Sequence, residues 1–234
     1  GIIEEIIRRL RIDKNKNKFC VEFGAWDGMY LSNTFNLINK GWKGIYIEGD
    51  EKKYQDLLKT SKIYPNITPV NKFVSINPKS KNSLDLILKN YKIPRDFEIL
   101  SIDIDSFDLE VWLSLYEYKP KIIIIEINSS YPPGILKWHS DKYRNSSGNS
   151  FSATLNVGLD KGYKLICHCG NMIFLRNDLK DKININEKFF KYPELLDNDF
   201  WYSIDRNILI NFYKRMRAFL INKLILRVKK LIFK

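Results

Sequence analysis

Apolar residues fall into two rhythms along this chain. Short continuous runs, such as those within Phe19–Phe23, Ile45–Glu48 and Lys121–Asn128, read as strands buried on both faces. Between them, apolar residues recur every third or fourth position, the spacing of amphipathic helices. Ile2, Ile3, Ile6, Ile7 and Leu10 set against Glu4, Glu5, Arg8 and Arg9 predict a helix over residues 2–11. Leu31, Phe35 and Leu37/Ile38 predict another over Met29–Lys40, with shorter ones over Lys52–Lys59, Ser83–Tyr91 and Ser152–Lys161. Ile67–Val70 and Phe97–Asp105 complete the strands of the first part. Tyr163–Cys169 and Met172–Leu175, joined by Gly170-Asn171, read as an antiparallel hairpin. The order predicts an α/β fold: a doubly wound, mostly parallel seven-stranded sheet closed by a C-terminal antiparallel hairpin. Residues 1–178 are expected to form this domain, and residues 179–234 a C-terminal extension.

The strand ends carry the polar residues. Four successive strands run into Glu22, Glu48, the pair Asp103/Asp105, and the pair Glu126/Asn128. In an open α/β sheet, the ligand crevice lies off those ends. Gly24 and Gly28 bracket the first turn, where a glycine lets the backbone approach a ligand and a following helix offers free N–H groups. The dinucleotide pattern G-x-G-x-x-G is absent; the spacing is Glu-x-Gly-x-x-x-Gly, with Ala25 and Trp26 inside it. An acidic residue beside this turn suits a cationic cofactor such as S-adenosylmethionine, which has a sulfonium and an ammonium but no phosphate. Glu48, at the end of the second strand, is placed to accept hydrogen bonds from a ribose diol. Phe73 is either a cover for an adenine face or a core aromatic. Asp103 and Asp105 alternate with Ile102 and Ile104, which puts both carboxylates on one face of a strand end. Carboxylates that close must be separated, bridged by a cation or share a proton. Asp108 and Glu110 read as ordinary partners of a helix dipole.

Charge and cysteines narrow the function. The net charge is +12, but nine basic residues and no acidic one lie between Arg206 and Lys234. The rest of the chain carries 30 basic against 27 acidic residues, so the charge belongs to the tail and a nucleic-acid groove across the fold is not expected. The tail is also periodic, with Phe212, Met216, Phe219/Leu220 and Leu224 on one side. It therefore predicts a basic amphipathic helix over about 206–234, which lies on an anionic membrane surface or packs on the domain or a second chain. No run of 18 uncharged apolar residues is present to span a membrane, and no signal peptide is visible. Cys20, Cys167 and Cys169 read as reduced thiols of a cytoplasmic protein, membrane-associated if the tail docks. Gly1 in place of a methionine is consistent with a piece of a longer protein. Residues 129–149 form a turn-rich loop at the ligand edge, containing Tyr131, Trp138, His139, Asp141 and Tyr143. His139 is a candidate general base or a surface histidine.

Val21-Glu22-Phe23-Gly24-Ala25-Trp26-Asp27-Gly28, Ile47-Glu48, Ser101-Ile102-Asp103-Ile104-Asp105 and the closing hairpin from Tyr163 to Arg176 together resemble the class I S-adenosylmethionine-dependent methyltransferases, especially the FkbM-like group. The resemblance covers about residues 17–178. It implies that Glu22, Gly24 and Gly28 line the methionine end of the cofactor, Glu48 the ribose and Asp103 the edge of the pocket; Ala25, Asn33 and Phe73 are further cofactor-binding candidates. It implies methylation of an oxygen on a sugar, glycan or other small molecule, with Asp105, Glu126 and His139 as catalytic candidates and Asn128, Tyr131 and Trp138 against the substrate. Asp105, Glu126 and Asn128 offer three oxygen ligands of the kind Mg²⁺ accepts. Where the family often has glycine after its strand-four acid, this chain has Ser106-Phe107. A non-catalytic module docking through the tail and an RNA methyltransferase are the alternative readings.

Overall fold

The computed structural model describes residues 1–14, 18–140 and 148–197. Helix α1 (Ile2–Leu10) leads into β1 (Phe19–Phe23), followed by α2 (Phe35–Ile38), β2 (Lys43–Glu48), α3 (Glu51–Ile63) and β3 (Ile67–Asn71). The second half runs α4 (Leu84–Lys89), β4 (Ile99–Ile102), α5 (Asp108–Ser114), β5 (Ile122–Glu126), α6 (Phe151–Asp160), β6 (Tyr163–Cys169) and β7 (Asn171–Arg176). Helix α7 (Glu187–Lys191) lies between 3-10 turns at Asn177–Lys182 and Pro193–Leu196.

The strands form one sheet in the order β3-β2-β1-β4-β5-β7-β6. All pairings are parallel except those of β7, which runs antiparallel to both β5 and β6. The winding reverses between β1 and β4, so their carboxyl ends form the topological switch point where such sheets open a crevice. This is the doubly wound sheet with a closing hairpin that the hydrophobic pattern predicts.

Alternation along the strands divides the core into two layers. Val21, Phe23, Leu100, Ile102, Ile123 and Ile125 pack with Leu88, Trp112 and Phe151 of α4, α5 and α6. Cys20, Tyr46, Ile99, Ile122 and Ile124 face the other way, against Ile6, Ile7, Leu37 and Leu57 of α1, α2 and α3. Leu179 and Ile183, beyond residue 178, are buried in this second layer. At the amino edge of the sheet, buried Glu98 accepts the Phe19 N–H at 2.9 Å and pairs with Lys121 Nζ at 3.0 Å, so its charge is matched within the fold.

The helix expected over Met29–Lys40 is corrected to the four residues of α2. Side chains outcompete the helical ladder here. Asp27 Oδ1 accepts the N–H groups of Met29 and Tyr30 at 2.8 and 2.7 Å, and Ser32 Oγ accepts those of Thr34 and Phe35. Leu31, expected on the buried side, is 79% exposed at φ +56°. No helix N-terminus therefore stands behind the first glycine turn. The predicted helix over about 206–234, with Asp141 and Tyr143, lies outside the described residues. Among the described residues, no helix is long and apolar enough to cross a membrane.

Candidate functional site at the carboxyl edge of the sheet

The turn after β1 is locked to both neighbouring strands. The N–H groups of Gly24 and Ala25 both donate to the Ile47 carbonyl, at 3.1 and 3.2 Å. A Cβ on Gly24 would lie 1.6 Å from the Asp103 carbonyl oxygen, and the residue has φ +77°. The glycine is thus required by the chain's own approach at the switch point, whatever ligand approaches from outside. Gly28 also has positive φ, and the space of its missing side chain is filled by Leu57 and Tyr46. The missing side chain at Gly28 lets the turn press on α3 and β2. Ala25 is buried in the same layer.

Glu22 is 4% exposed and accepts hydrogen bonds from Ser32 Oγ at 2.9 Å, from the Thr34 N–H at 3.1 Å and from Thr34 Oγ1. Burial pushes its carboxyl up to about 6 against these bonds. Asn33, between those two partners, donates to Ser101 Oγ at 3.1 Å and accepts from Asn171 Nδ2 at 3.4 Å. Glu48 receives the Trp26 N–H on one oxygen and the Asp50 N–H on the other, both at 2.8 Å. Each carboxylate oxygen has a further lone pair to offer a diol. Phe73 lies across Gly49, where a Cβ would come within 2.4 Å of the ring, and the ring is 73% exposed. A core role for Phe73 is thereby removed; the ring stands on the surface beside Glu48.

On the other side of the switch point, the carboxyls of Asp103, Asp105 and Glu126 each place an oxygen within 4.8 Å of the others. Strand β4 ends at Ile102, so Asp103 and Asp105 are not successive strand positions as expected; they meet because the chain turns, with Asp105 at φ +58°. Asp108 builds that turn by accepting the N–H groups of Ile104 at 2.7 Å and Ser106 at 3.0 Å. Burial pushes the Asp108 carboxyl up to about 6. Asp103 and Glu126 share a hydrogen bond; burial, then the neighbouring carboxylates, push Glu126 up to about 8, and burial raises Asp103 as well. Unlike Glu98, none of the three pairs with a lysine or arginine among the described residues. The result is a carboxyl pair that shares a proton near neutral pH, with a third carboxylate at its open side.

The loop residues divide. Asn128 Oδ1 accepts both the N–H, at 3.0 Å, and the hydroxyl of Ser130, which occupies that oxygen in this structure. Asp103 supplies a further carboxylate beside the expected Asp105 and Glu126. Tyr131 follows in the same turn, its N–H on the Asn128 carbonyl, and Trp138 is 40% exposed. His139 packs edge-on against Phe107, with ring centroids 4.5 Å apart, which brings it to the Asp105 turn. Its Nδ1 accepts the Gly148 N–H at 3.2 Å, so in the neutral ring Nε2 carries the proton and the basic lone pair is in use. In that tautomer Nε2–H is a hydrogen-bond donor.

Two features were missed from the sequence. Asp108 looked like a helix-start acid, and only the spacing D-x-x-D hints that it caps the preceding turn. His168, between the two cysteines of β6, is buried with Nε2 3.4 Å from Ser129 Oγ and Nδ1 3.4 Å from Asp197, tying the loop after β5 to the segment beyond α7. The thiols of Cys167 and Cys169 hydrogen-bond to each other.

The strand order with β7 reversed is the Rossmann-like methyltransferase fold. No family model matches the chain, and no curated protein does. Among solved structures, the chain is similar to a SAM-dependent methyltransferase from Aquifex aeolicus (14% identity, 73% of this chain and 85% of that one, TM-score 0.41). It is similar also to the N-terminal domain of EvdMO1 crystallised in the presence of SAH and D-fucose (10% identity, 74% and 79%, TM-score 0.42). A third likeness is to the CMeT domain of the citrinin polyketide synthase (11% identity, TM-score 0.48), where it spans 74% of this chain and about half, 51%, of that one.

Proposed function

We propose that the protein is an S-adenosylmethionine-dependent methyltransferase acting on a hydroxyl of a sugar, glycan or other small molecule. The observation that carries this reading is the set of acidic groups on the two sides of the switch point. Glu22 and Glu48 lie at the ends of β1 and β2, and Asp103, Asp105 and Glu126 cluster beyond the ends of β4 and β5, with no lysine or arginine paired to the three among the described residues. Bound S-adenosylmethionine supplies an electrophilic methyl group on a positively charged sulfur. Glu48 would hold the ribose diol, Phe73 would cover the adenine, and the carboxyls of Glu22 and Asp103 would lie toward the cationic end. With the cofactor bound, these residues would orient the acceptor hydroxyl toward its methyl group, and S-adenosylhomocysteine would leave as the methyl passes to the oxygen. The hydroxyl proton passes to the Asp103–Glu126 pair, whose proton affinity lies near working pH.

The three carboxylates also fit a divalent cation such as Mg²⁺, with Asp103 beside the expected Asp105 and Glu126. The ion would lower the pKa of an acceptor hydroxyl; the pair accepts the proton without it. The FkbM-like assignment and the basic tail remain part of this reading, the tail as a dock on an anionic membrane surface at the cytoplasmic face.

Calorimetry with S-adenosylhomocysteine tests the cofactor half. Wild type is expected to bind. Phe73→Ala is expected to bind about tenfold more weakly, the loss of one aromatic stacking contact, with an unchanged melting temperature because the ring is exposed. Absence of binding by the wild-type protein would overturn the reading. It would favour the non-catalytic module, whose dependence on residues 206–234 liposome flotation would reveal.

A further inference from the structure

Beside the acidic cluster, the start of the chain with α1, the segment from Asn33 into α2, and strands β5, β6 and β7 line an open-mouthed cavity of about 250 Å³. Its apolar wall is Leu37, Ile124 and Ile173, and its polar wall is Asn33, Asn36 and Asn171. We propose that this cavity is the acceptor subsite and that it receives one uncharged polyol ring, a monosaccharide unit or its glycoside. The proposal rests on the methyl-transfer reading above and names the substrate class of that site.

Position comes first. Asn171 is the register partner of Glu126 across the antiparallel β5–β7 pair, and Ile124 lies two residues before Glu126. Directly paired residues on one face have Cβ atoms about 5 Å apart. Residues two apart on a strand share that face. A ligand resting on Ile124 and Asn171 therefore meets the Asp103–Glu126 pair at its next polar group. Ser101, the partner of Asn33, precedes Asp103 by two residues and pairs with Ile124 in register. The floor of the cavity and the acidic cluster are thus two successive levels of one sheet face.

Chemistry comes second. Carboxamides both donate and accept, which matches hydroxyl groups that do the same. The Asn171–Asn33 bond, at 3.4 Å, is long enough to be exchanged for ligand contacts. The apolar wall opposite suits the C–H face of a ring. At the rim, Glu4 holds two cations, Lys40 and the Gly1 amino group, and accepts from Asn36 Nδ2 at 3.0 Å; Lys40, the amino group and Asn36 hold its carboxyl down to about 2. A phosphate would find no uncommitted cation among the residues lining the cavity, so a nucleotide acceptor is disfavoured. Asn33, expected on the cofactor, becomes part of the acceptor wall.

Half-buried Cys169 lines the same cavity and reports on it without turnover. The Cys167 thiol, hydrogen-bonded to it, brings Cys169 down to about 7, so it is the reactive thiol of the pair. Alkylation of Cys169 by iodoacetamide, followed by mass spectrometry, is expected to slow when a methyl pyranoside is added and to ignore nucleoside monophosphates. Asn171→Leu should weaken that protection about tenfold, the loss of one or two hydrogen bonds. Ile3→Trp, which fills the cavity from α1, should abolish it. Both variants should keep S-adenosylhomocysteine binding within twofold. Alkylation that no neutral sugar slows, protection by nucleotides instead, or protection that survives both substitutions would overturn the subsite. If S-adenosylhomocysteine binds in any of those cases, the methyl-transfer reading stands and only the subsite falls. If sugars protect but the cofactor analogue does not bind, the cavity stands and the methyl-transfer reading falls.

Discussion

Glu126→Gln is expected to reduce methyl transfer by about 10² to 10⁴-fold, the range for losing a positioned general base, while S-adenosylhomocysteine still binds. The amide keeps the shape and the hydrogen bond to Asp103 but cannot take the acceptor's proton. In wild type, turnover should rise with pH through the value near 8 to which burial and its acidic neighbours push Glu126, as the carboxylate forms. The variant should lack that rise. If Mg²⁺ occupies the three carboxylates, adding it should move the rise to lower pH, because the ion displaces the shared proton. A pH profile unchanged by Glu126→Gln would place the base elsewhere.

The same carboxyl leaves a mark on stability. Unfolded, it releases its proton near 4.5; folded, it holds the proton to about 8. Between those values the folded state binds more protons, so its contribution to stability is fully present below pH 4.5 and is lost as pH rises toward 8. Glu22 and Asp108, both raised to about 6, act in the same direction over a narrower window. Relative to wild type, Glu126→Gln should therefore gain about 2 kcal/mol on passing from pH 4.5 to 9, solvent on the open side of the pair keeping the gain below the full linkage value. Urea titrations at the two pH values measure it.

Gly24→Ala is expected to cost about 4 kcal/mol or more and to remove cofactor binding together with the folded state. Two penalties combine. The residue has φ +77°, and a Cβ would fall 1.6 Å from the Asp103 carbonyl oxygen, which is backbone and cannot swing aside. Relief would require β1 and β4 to separate at the switch point, breaking the Asp103 N–H bond to the Phe23 carbonyl, 3.2 Å long. Thermal melting of the variant checks this; a melting temperature close to wild type would mean that the two strands part readily. Gly41→Ala is the control, with positive φ but nothing within 4 Å of the added carbon.

The sheet was legible because its strands are short, β-branched and buried on both faces, and because their polar ends stand out against that background. Glu22, Glu48, Asp103 and Glu126 could be placed at one edge from sequence alone, since parallel strands all bring their carboxyl ends to the same side. The region after β1 was not legible. Its apolar spacing suits a helix, but Asp27, Ser32 and Glu22 capture backbone and hydroxyl groups through contacts that no periodicity records. Asp105 and Glu126 meet as the sequence suggested, but the surroundings of Asn128 were not legible, for a related reason. Asn128 and Glu126 are two apart on paper, yet the chain leaves the strand after Glu126 and turns Asn128 onto Ser130. The amide wall of the cavity was out of reach because Asn33, Asn36 and Asn171 come from distant segments, and nothing in their local surroundings marks them.

The left-handed backbone at Asp105 has a practical consequence for anyone who improves this protein by directed evolution. Glycine at that position would relieve up to about 1 kcal/mol of conformational cost while deleting one of three clustered acids. A library ranked by thermal tolerance alone would drift toward glycine there and return robust but idle variants. Screening has to score product formation beside heat resistance from the first round.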